Sequence, residues 1–257
     1  MRLIRGNGKM ERIAKIFQEF QVTLWGACDY SIIKNDLLNC RAKKRLPVQA
    51  QTVFSVLFPY LTNTPKGNLS RYAAVPDYHD IVCEQLQHIA ERMKEIFSDH
   101  EFVVFCDNSP IIEVRAAAAS GLGVIGTNGL LIHPQYGSYV FIGEIVTTLP
   151  YPCTGVQIEQ CLGCNLCIKN CPGQALSSNG LDSTKCLSAI TQKKGELSPF
   201  EINLIQKNST IWGCDICQEC CPMNRNAFAT SIKIFQKNVI SSLSPGMAAN
   251  MEGRAFL

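Results

Sequence analysis

Residues 161–172 read Cys161-Leu-Gly-Cys164-Asn-Leu-Cys167-Ile-Lys-Asn-Cys171-Pro172, which fits C-x2-C-x2-C-x3-C-P without exception. In this spacing the short loops wrap three thiolates around one face of a 4Fe–4S cubane. The fourth cysteine, fixed by the following proline, turns to the other cluster in two-cluster ferredoxins. A structural zinc site uses two separated cysteine pairs and does not need this run. A second run, Cys214-Asp-Ile-Cys217-Gln-Glu-Cys220-Cys221-Pro222, does not repeat the first, because a matching fourth cysteine would fall at Asn224. Its Cys-Pro pair is nevertheless present at Cys221-Pro222. The crossed arrangement gives one cluster Cys161, Cys164, Cys167 and Cys221. The other takes Cys171, Cys214 and Cys217 and needs one more thiolate, for which Cys186 is the isolated candidate. Cys220 is left over, either as a spare thiol or as a competitor for Cys221. Two clusters in so small a module mean electron transfer, since this many thiolates exceed what stability requires.

Outside these runs the chain is ordinary. It has 257 residues and 14 cysteines, ten of them between Cys153 and Cys221. Cys28, Cys40, Cys83, Cys106 and Cys153 read as packed thiols and not as ligands. Apolar residues make up 46% and charged residues 18%, which supports a buried core and excludes a disordered tail. A net charge of +3, from 24 basic and 21 acidic side chains, neither demands nor excludes a nucleic-acid partner. The opening MRLIRGNGKMERIAKIF has no apolar block of about 7–15 residues that would mark a signal peptide. No stretch approaches the roughly 18 apolar residues of a membrane span. Without an export route, dense cysteines are expected to hold metal and not to form disulfides, which points to the cytoplasm.

The first half alternates helices and strands. Ile13, Ile16, Phe17 and Phe20 form a helical stripe, and an extended segment runs from Val22 to Ala27. A basic run, Arg41-Ala-Lys-Lys-Arg45, reads as solvated surface, with phosphate contact as the sharper reading. Residues 52–58 and 102–106 read as apolar strands, and residues 77–97 as a long amphipathic helix. Ser109 is expected to cap a helix beginning at Pro110 and ending near Gly121. Strands follow at 129–133 and 139–147. Gly121-Leu-Gly123-Val-Ile-Gly126 matches G-x-G-x-x-G, but a helix precedes it and a strand follows, the reverse of a dinucleotide site. The expected fold is an α/β sandwich over residues 1–150, a ferredoxin-like two-cluster 4Fe-4S module over 151–230 and a C-terminal tail over 231–257.

Further stretches carry a resemblance. They are Arg71-Tyr-Ala73 with Asp77-Tyr-His79, Asp107-Asn-Ser-Pro110 with Glu113, and Ala119-Ser-Gly-Leu-Gly123 with Gly126. Tyr136-Gly-Ser138, Ile142-Gly-Glu144, Cys186-Leu-Ser188, Lys194-Gly195 and Gly213 through Asn224 follow in order. With both cysteine runs, this series resembles the epoxyqueuosine reductases, cobalamin-dependent iron–sulfur enzymes of tRNA modification related to reductive dehalogenases. The resemblance implies a cobalamin held between the α/β domain and the cluster module, with electrons reaching it through the clusters. It implies cofactor contacts at Tyr72, Asp107, Leu131, Ile142, Ser188, Cys214 and Asp215, and Asp107 as the catalytic proton donor. Read without the resemblance, Asp107 lies just after a strand and before a helix, a common ligand position in α/β sheets, or it helps to cap that helix. General-acid work requires it protonated in the reactive complex.

Two departures fall on the substrate side. Val114 stands where the family usually has arginine, and Thr127 where it usually has lysine. The chain also ends at Leu257, where typical members continue into a region that helps hold tRNA. The first expectation is reduction of epoxyqueuosine in a tRNA anticodon stem-loop to queuosine, with a flavodoxin or ferredoxin as electron donor. A small-molecule reductase of the dehalogenase kind is the second expectation, and a non-catalytic electron carrier or cobalamin-binding protein the third.

Overall fold

The computed structural model describes residues 4–153 and 157–244. In chain order the first regular elements are α1 (Ile4–Glu19), β1 (Trp25–Asp29), β2 (Thr52–Pro59), α2 (Arg71–Ala74), α3 (Tyr78–Ile96) and β3 (Phe102–Cys106). Next come α4 (Glu113–Ala119), β4 (Val124–Ile125), β5 (Leu131–Ile132), β6 (Val140–Thr147) and α5 (Leu166–Lys169). The last are β7 (Leu176–Ser177), β8 (Gly180–Leu181), α6 (Leu187–Thr191), α7 (Pro199–Asn208), α8 (Ile216–Glu219) and α9 (Lys233–Gln236). These elements form two compact units. The first joins the chain up to Phe58 with Tyr78–Ile125 and Phe141–Glu159; the second joins Pro59–Asp77, Gly126–Val140 and the chain from Gln160 onward.

In the first unit a four-stranded sheet runs in the order β1-β2-β6-β3. β1 lies antiparallel to β2 with Ala27 opposite Phe54, and β3 lies antiparallel to β6 with Phe105 opposite Glu144. Strand residues alternate between faces, and each face has its own cover. A Cβ on Gly143 of β6 would strike Leu86 and Val82, so α3 lies directly on that face. On the opposite face Val53, Phe105 and Val146 pack with Ala116 and Ala119 of α4. The stripe on α1 is buried through Ile13, Ile16 and Phe17, and Phe17 stacks on Trp25 at 4.2 Å. Burying such side chains contributes about 1.5–3 kcal/mol each.

Three local expectations change here. The helix expected at Pro110 begins at Glu113, with Ile112 as an N-cap that makes no side-chain bond. Ser109 lies too far upstream to cap it; its hydroxyl donates to the buried carboxyl of Glu144 at 2.6 Å and accepts the Ile111 N–H at 3.1 Å. The basic run forms a 3-10 turn over Arg41–Arg45. Arg45 bends back from that turn, donating to the Val104 carbonyl at 2.6 Å with its guanidinium 4.7 Å from the Phe105 ring centre. Cys83 and Cys106 are not separate packed thiols: their sulfurs are in disulfide contact, with Cα atoms 5.9 Å apart.

The second unit is interleaved, whereas the sequence suggests a division near residue 150. Segments 59–77 and 126–140 belong with the cysteine-rich chain because hydrogen bonds hold them there. Tyr60 N–H donates to the Tyr139 carbonyl at 2.9 Å, and Ser70 N–H to the Trp212 carbonyl at 2.9 Å. Gln218, buried in α8, donates to the Ser138 carbonyl and hydroxyl, each at 3.0 Å. The stretch read as a tail also returns to this unit, with Leu69 N–H donating to the Ser241 carbonyl at 3.1 Å. Asn68 Nδ2 donates to the Leu243 carbonyl at 2.9 Å. Residues 245–257 of that tail lie outside the described residues. α7 starts with a capping box, Ser198 and Glu201 bonding each other's backbone amides, and Lys193 donates to Glu201 at 2.9 Å. No helix among the described residues is long and apolar enough to cross a membrane.

Candidate functional site

Cys161, Cys164, Cys167 and Cys221 wall a single cavity in the second unit, together with Gly126, Thr127, Asn128, Ile132 and Asn165. The loop between the first two cysteines turns through Gly163 at φ +63, a left-handed state that glycine adopts without Cβ strain. Asn165 then continues at φ +58 before α5 carries Cys167. Thr127 addresses the first sulfur twice: its backbone N–H donates to Cys161 Sγ at 3.3 Å, and its hydroxyl lies 3.3 Å from the same atom. Burial opposes ionisation of Cys161. Those two bonds and the amides of Gly163 and Cys161 outweigh it, leaving the thiol below its usual range.

The second group is Cys186, Cys214 and Cys217, which lie within each other's electrostatic reach. Burial pushes Cys214 up to about 11 and Cys217 up to about 12, so each surrenders a proton when it ligates iron. Cys171 sits in the adjoining loop, where a Cβ on Gly173 would strike the Lys185 carbonyl, one residue before Cys186. Cys220 is absent from the walls of the first cavity. Its thiol faces the Cys217 carbonyl at 3.7 Å. Among the described residues no three His, Cys, Asp or Glu side chains converge on a point that would hold one metal ion. A cubane imposes no such convergence, because its four irons hold the thiolates apart.

Among the cofactor contacts implied by the sequence, Tyr72, Leu131, Ser188, Cys214 and Asp215 belong to the second unit, and Asp107 and Ile142 to the first. Within the second unit Tyr72 bonds Ser188 and lies in the field of Asp215. Gly213, at φ +73, lets the backbone pass beside Ser70 and the Tyr72 ring, both of which a Cβ would strike. Asp215 is buried; Oδ2 accepts the Arg71 N–H at 2.8 Å, while Oδ1 has no partner. Burial raises this carboxyl to about 6, with the Arg71 amide working against it. An orphaned buried oxygen of this kind fits a ligand that brings a hydrogen-bond donor, as the amide arms of a corrin do. Leu131 is buried in β5 and offers only backbone polar atoms. Ile142 is half-buried on β6.

Asp107 follows β3 directly, at φ +61, with its side chain 64% exposed. His79, in the first turn of α3, brings Nε2 to 3.5 Å from Asp107 Oδ2. The loss of an arginine at Val114 is not made good by its neighbour, since Arg115 pairs with Asp36 at 3.1 Å. Sequence reasoning missed Thr127 as a partner of Cys161 and Glu144 as a partner of Ser109. Glu144 was visible only as a member of a family motif and Thr127 only as a departure from one, and neither contact is local in sequence.

A sheet unit with an aspartate at a strand end, and a unit whose cysteines gather in two groups, define a double-cluster iron–sulfur protein. Residues 160–224 match the 4Fe-4S double cluster binding domain family, and residues 41–108 match the family described as epoxyqueuosine reductase QueG, DUF1730. The epoxyqueuosine reductase of Lactococcus garvieae is 37% identical over 168 residues, 65% of this chain and 47% of that protein. The solved structure of epoxyqueuosine reductase from Streptococcus thermophilus superposes with a TM-score of 0.74 at 25% identity, covering 86% of this chain and 67% of that one. An epoxyqueuosine reductase crystallised with an epoxyqueuosine-modified tRNA stem loop shares the fold at a TM-score of 0.74 and 23% identity, over 89% of this chain and 68% of that one. The chain belongs to the epoxyqueuosine reductase family. It spans about half the length of the curated relatives it matches.

Proposed function

We propose that this chain is a cytoplasmic, cobalamin-dependent iron–sulfur reductase that converts epoxyqueuosine in tRNA to queuosine. The observation that supports this best is the gathering of Cys161, Cys164, Cys167 and Cys221 around one cavity, with Cys186, Cys214 and Cys217 as a second group in the same unit. In this reading one cluster is held by the first four thiolates and the other by Cys171, Cys186, Cys214 and Cys217. A flavodoxin or ferredoxin supplies electrons. Tyr72, Leu131, Ser188, Cys214 and Asp215 of the second unit would hold the cobalamin, with Asp215 Oδ1 free to accept a hydrogen bond from it, and Ile142 and Asp107 of the first unit are the further contacts that the resemblance implies. The bound corrin supplies a low-valent cobalt able to reduce an electrophilic carbon. Two electrons from the donor and two protons convert the epoxide to the alkene, both C–O bonds breaking and the oxygen leaving as water. Asp107 delivers the first proton, and His79, 3.5 Å away, stands where it can reprotonate Asp107 for the second.

The test is anaerobic turnover. Reconstituted protein with cobalamin and a strong reductant is mixed with an epoxyqueuosine-bearing anticodon stem-loop, and the nucleoside mass is followed. Loss of one oxygen is the expected result; no conversion with cobalamin demonstrably bound overturns the substrate assignment. Val114, Thr127 and the Arg115–Asp36 pair favour a second reading, reduction of a small electrophile, because the positive charges usual in the family at positions 114 and 127 are missing. The two differ in salt response: stem-loop affinity falls steeply with ionic strength if tRNA is the substrate. Failure to bind cobalamin at all would leave only an electron carrier.

Thr127 gives a cluster-specific expectation. A hydroxyl donating to a ligating sulfur stabilises the more negative, reduced cluster. Thr127→Val keeps the shape and the backbone bond but removes the hydroxyl. The reduction equilibrium of one cluster should shift about tenfold toward the oxidised form, about 59 mV for one electron. A redox titration followed by electron paramagnetic resonance reads this directly, with the other cluster as internal control.

A further inference from the structure

The turn that carries Asp107 rests on two carboxyl groups that the proposed reaction does not use. A left-handed non-glycine residue, as Asp107 is at φ +61, is strained and persists only where its surroundings hold it. After Asp107, Asn108 N–H donates to the Cys106 carbonyl and Ser109 N–H to the Asp107 carbonyl, both at 2.7 Å. Ser109 then donates its hydroxyl to Glu144 Oε2 at 2.6 Å and accepts the Ile111 N–H at 3.1 Å. Glu144 is fully buried on β6, next to β3 in the sheet. From the other side Glu113, the first residue of α4, has its carboxyl beside the backbone N–H of Asp107, close enough for that amide to favour its charged form. One carboxyl therefore faces the amide of Asp107, and the other holds the side chain two residues on. Each retains a second oxygen, Oε1, that is buried without a partner.

We propose that Glu113 and Glu144 are positioning residues for Asp107, clamping its turn from both sides so that its carboxyl is presented at the end of β3. The proposal rests on the reading of Asp107 as proton donor. Burial and the nearby Glu144 and Asp107 push Glu113 up to about 9, and burial pushes Glu144 up to about 7, against the Ser109 bond. Glu113 is thus a neutral acid at neutral pH, and its grip does not require a charge. The other ionisable groups around the clamp are Cys28 of β1, which lies in the field of Glu144, His79 of α3 facing Asp107, the paired Arg115 and Asp36, and the joined Cys83 and Cys106.

Three variants of the reconstituted full chain test this: Glu113→Leu, Glu113→Gln and Ser109→Ala. Hydrogen–deuterium exchange at residues 107–111 is read beside the turnover of stem-loop. Glu113→Leu removes the acceptor and should speed exchange at Asp107 about tenfold, the effect of losing one buried hydrogen bond. Its kcat should fall with KM unchanged. Glu113→Gln keeps a neutral acceptor and should restore both at pH 7. Ser109→Ala, which deletes only a hydroxyl, should loosen the same turn even if Glu113→Leu does not fold. Unchanged exchange in Glu113→Leu or in Ser109→Ala overturns the clamp. Faster exchange with undiminished kcat would overturn the positioning role, whereas Asp107 as the proton donor falls only if Asp107→Asn keeps wild-type turnover.

Discussion

Asp107→Asn should bind cobalamin and keep both clusters, yet lose turnover by about 10²–10⁴-fold, the usual contribution of a positioned general acid. The choice of asparagine matters. Asp107 has φ +61, and asparagine is among the residues that tolerate this region best. Alanine would add backbone strain to the loss of the carboxyl and confuse the two. Asparagine also preserves the backbone amide that faces Glu113 and places a polar atom opposite His79, now 3.5 Å from Oδ2. Only the transferable proton is removed. Single-turnover mass analysis of the nucleoside, with cobalamin absorbance and iron content as controls, separates a chemical defect from a binding defect. Wild-type turnover in Asp107→Asn, with both controls intact, would remove the aspartate from the mechanism.

What could be read from the sequence depended on how local the determining interactions are. The cysteine runs were legible because ligand spacing is a property of a dozen consecutive residues. The buried strands β2 and β3 were legible because continuous apolar runs have few other places to go. The interleaving of the units was not. Tyr60 and Ser138 declare themselves only by meeting Gln218, 158 and 80 residues away. Ser109 illustrates the same limit within one motif. A serine before a proline reads as a helix cap, but the helix starts at Glu113, and β6 brings in, 35 residues later, a buried carboxyl to which the hydroxyl donates. The pairing of Cys83 with Cys106 likewise depends on α3 lying across the end of β3, which no spacing rule contains. At the site, Asp107 was legible by position, whereas its turn geometry and supporting carboxyl groups were not.

Cys221→Ala should lower iron from about eight to about four per chain, while Cys220→Ala should leave it near eight. The two neighbours differ in what they face. Cys221 joins Cys161, Cys164 and Cys167 around one cavity. It lies in extended backbone at φ −76 and ψ 122, immediately before Pro222 begins a 3-10 turn. That turn is anchored by Asn224, whose amide donates to the Gln218 carbonyl and the Ser138 hydroxyl, both at 2.8 Å. Cys220 caps α8 instead, in helical backbone, with its thiol toward the Cys217 carbonyl at 3.7 Å. A single peptide step therefore turns one sulfur into the cavity and the other away from it. Cys220 still lies within electrostatic reach of Cys164, Cys167 and Cys221, so in Cys221→Ala it is a thiol placed to substitute. The double variant resolves that case: iron that survives in Cys221→Ala but is lost when Cys220 is also removed would reveal rescue by Cys220. Iron analysis with the opposite single-variant pattern, loss in Cys220→Ala and retention in Cys221→Ala, would reverse the assignment. It would also mean that the chain bends at residue 220 when the cluster assembles.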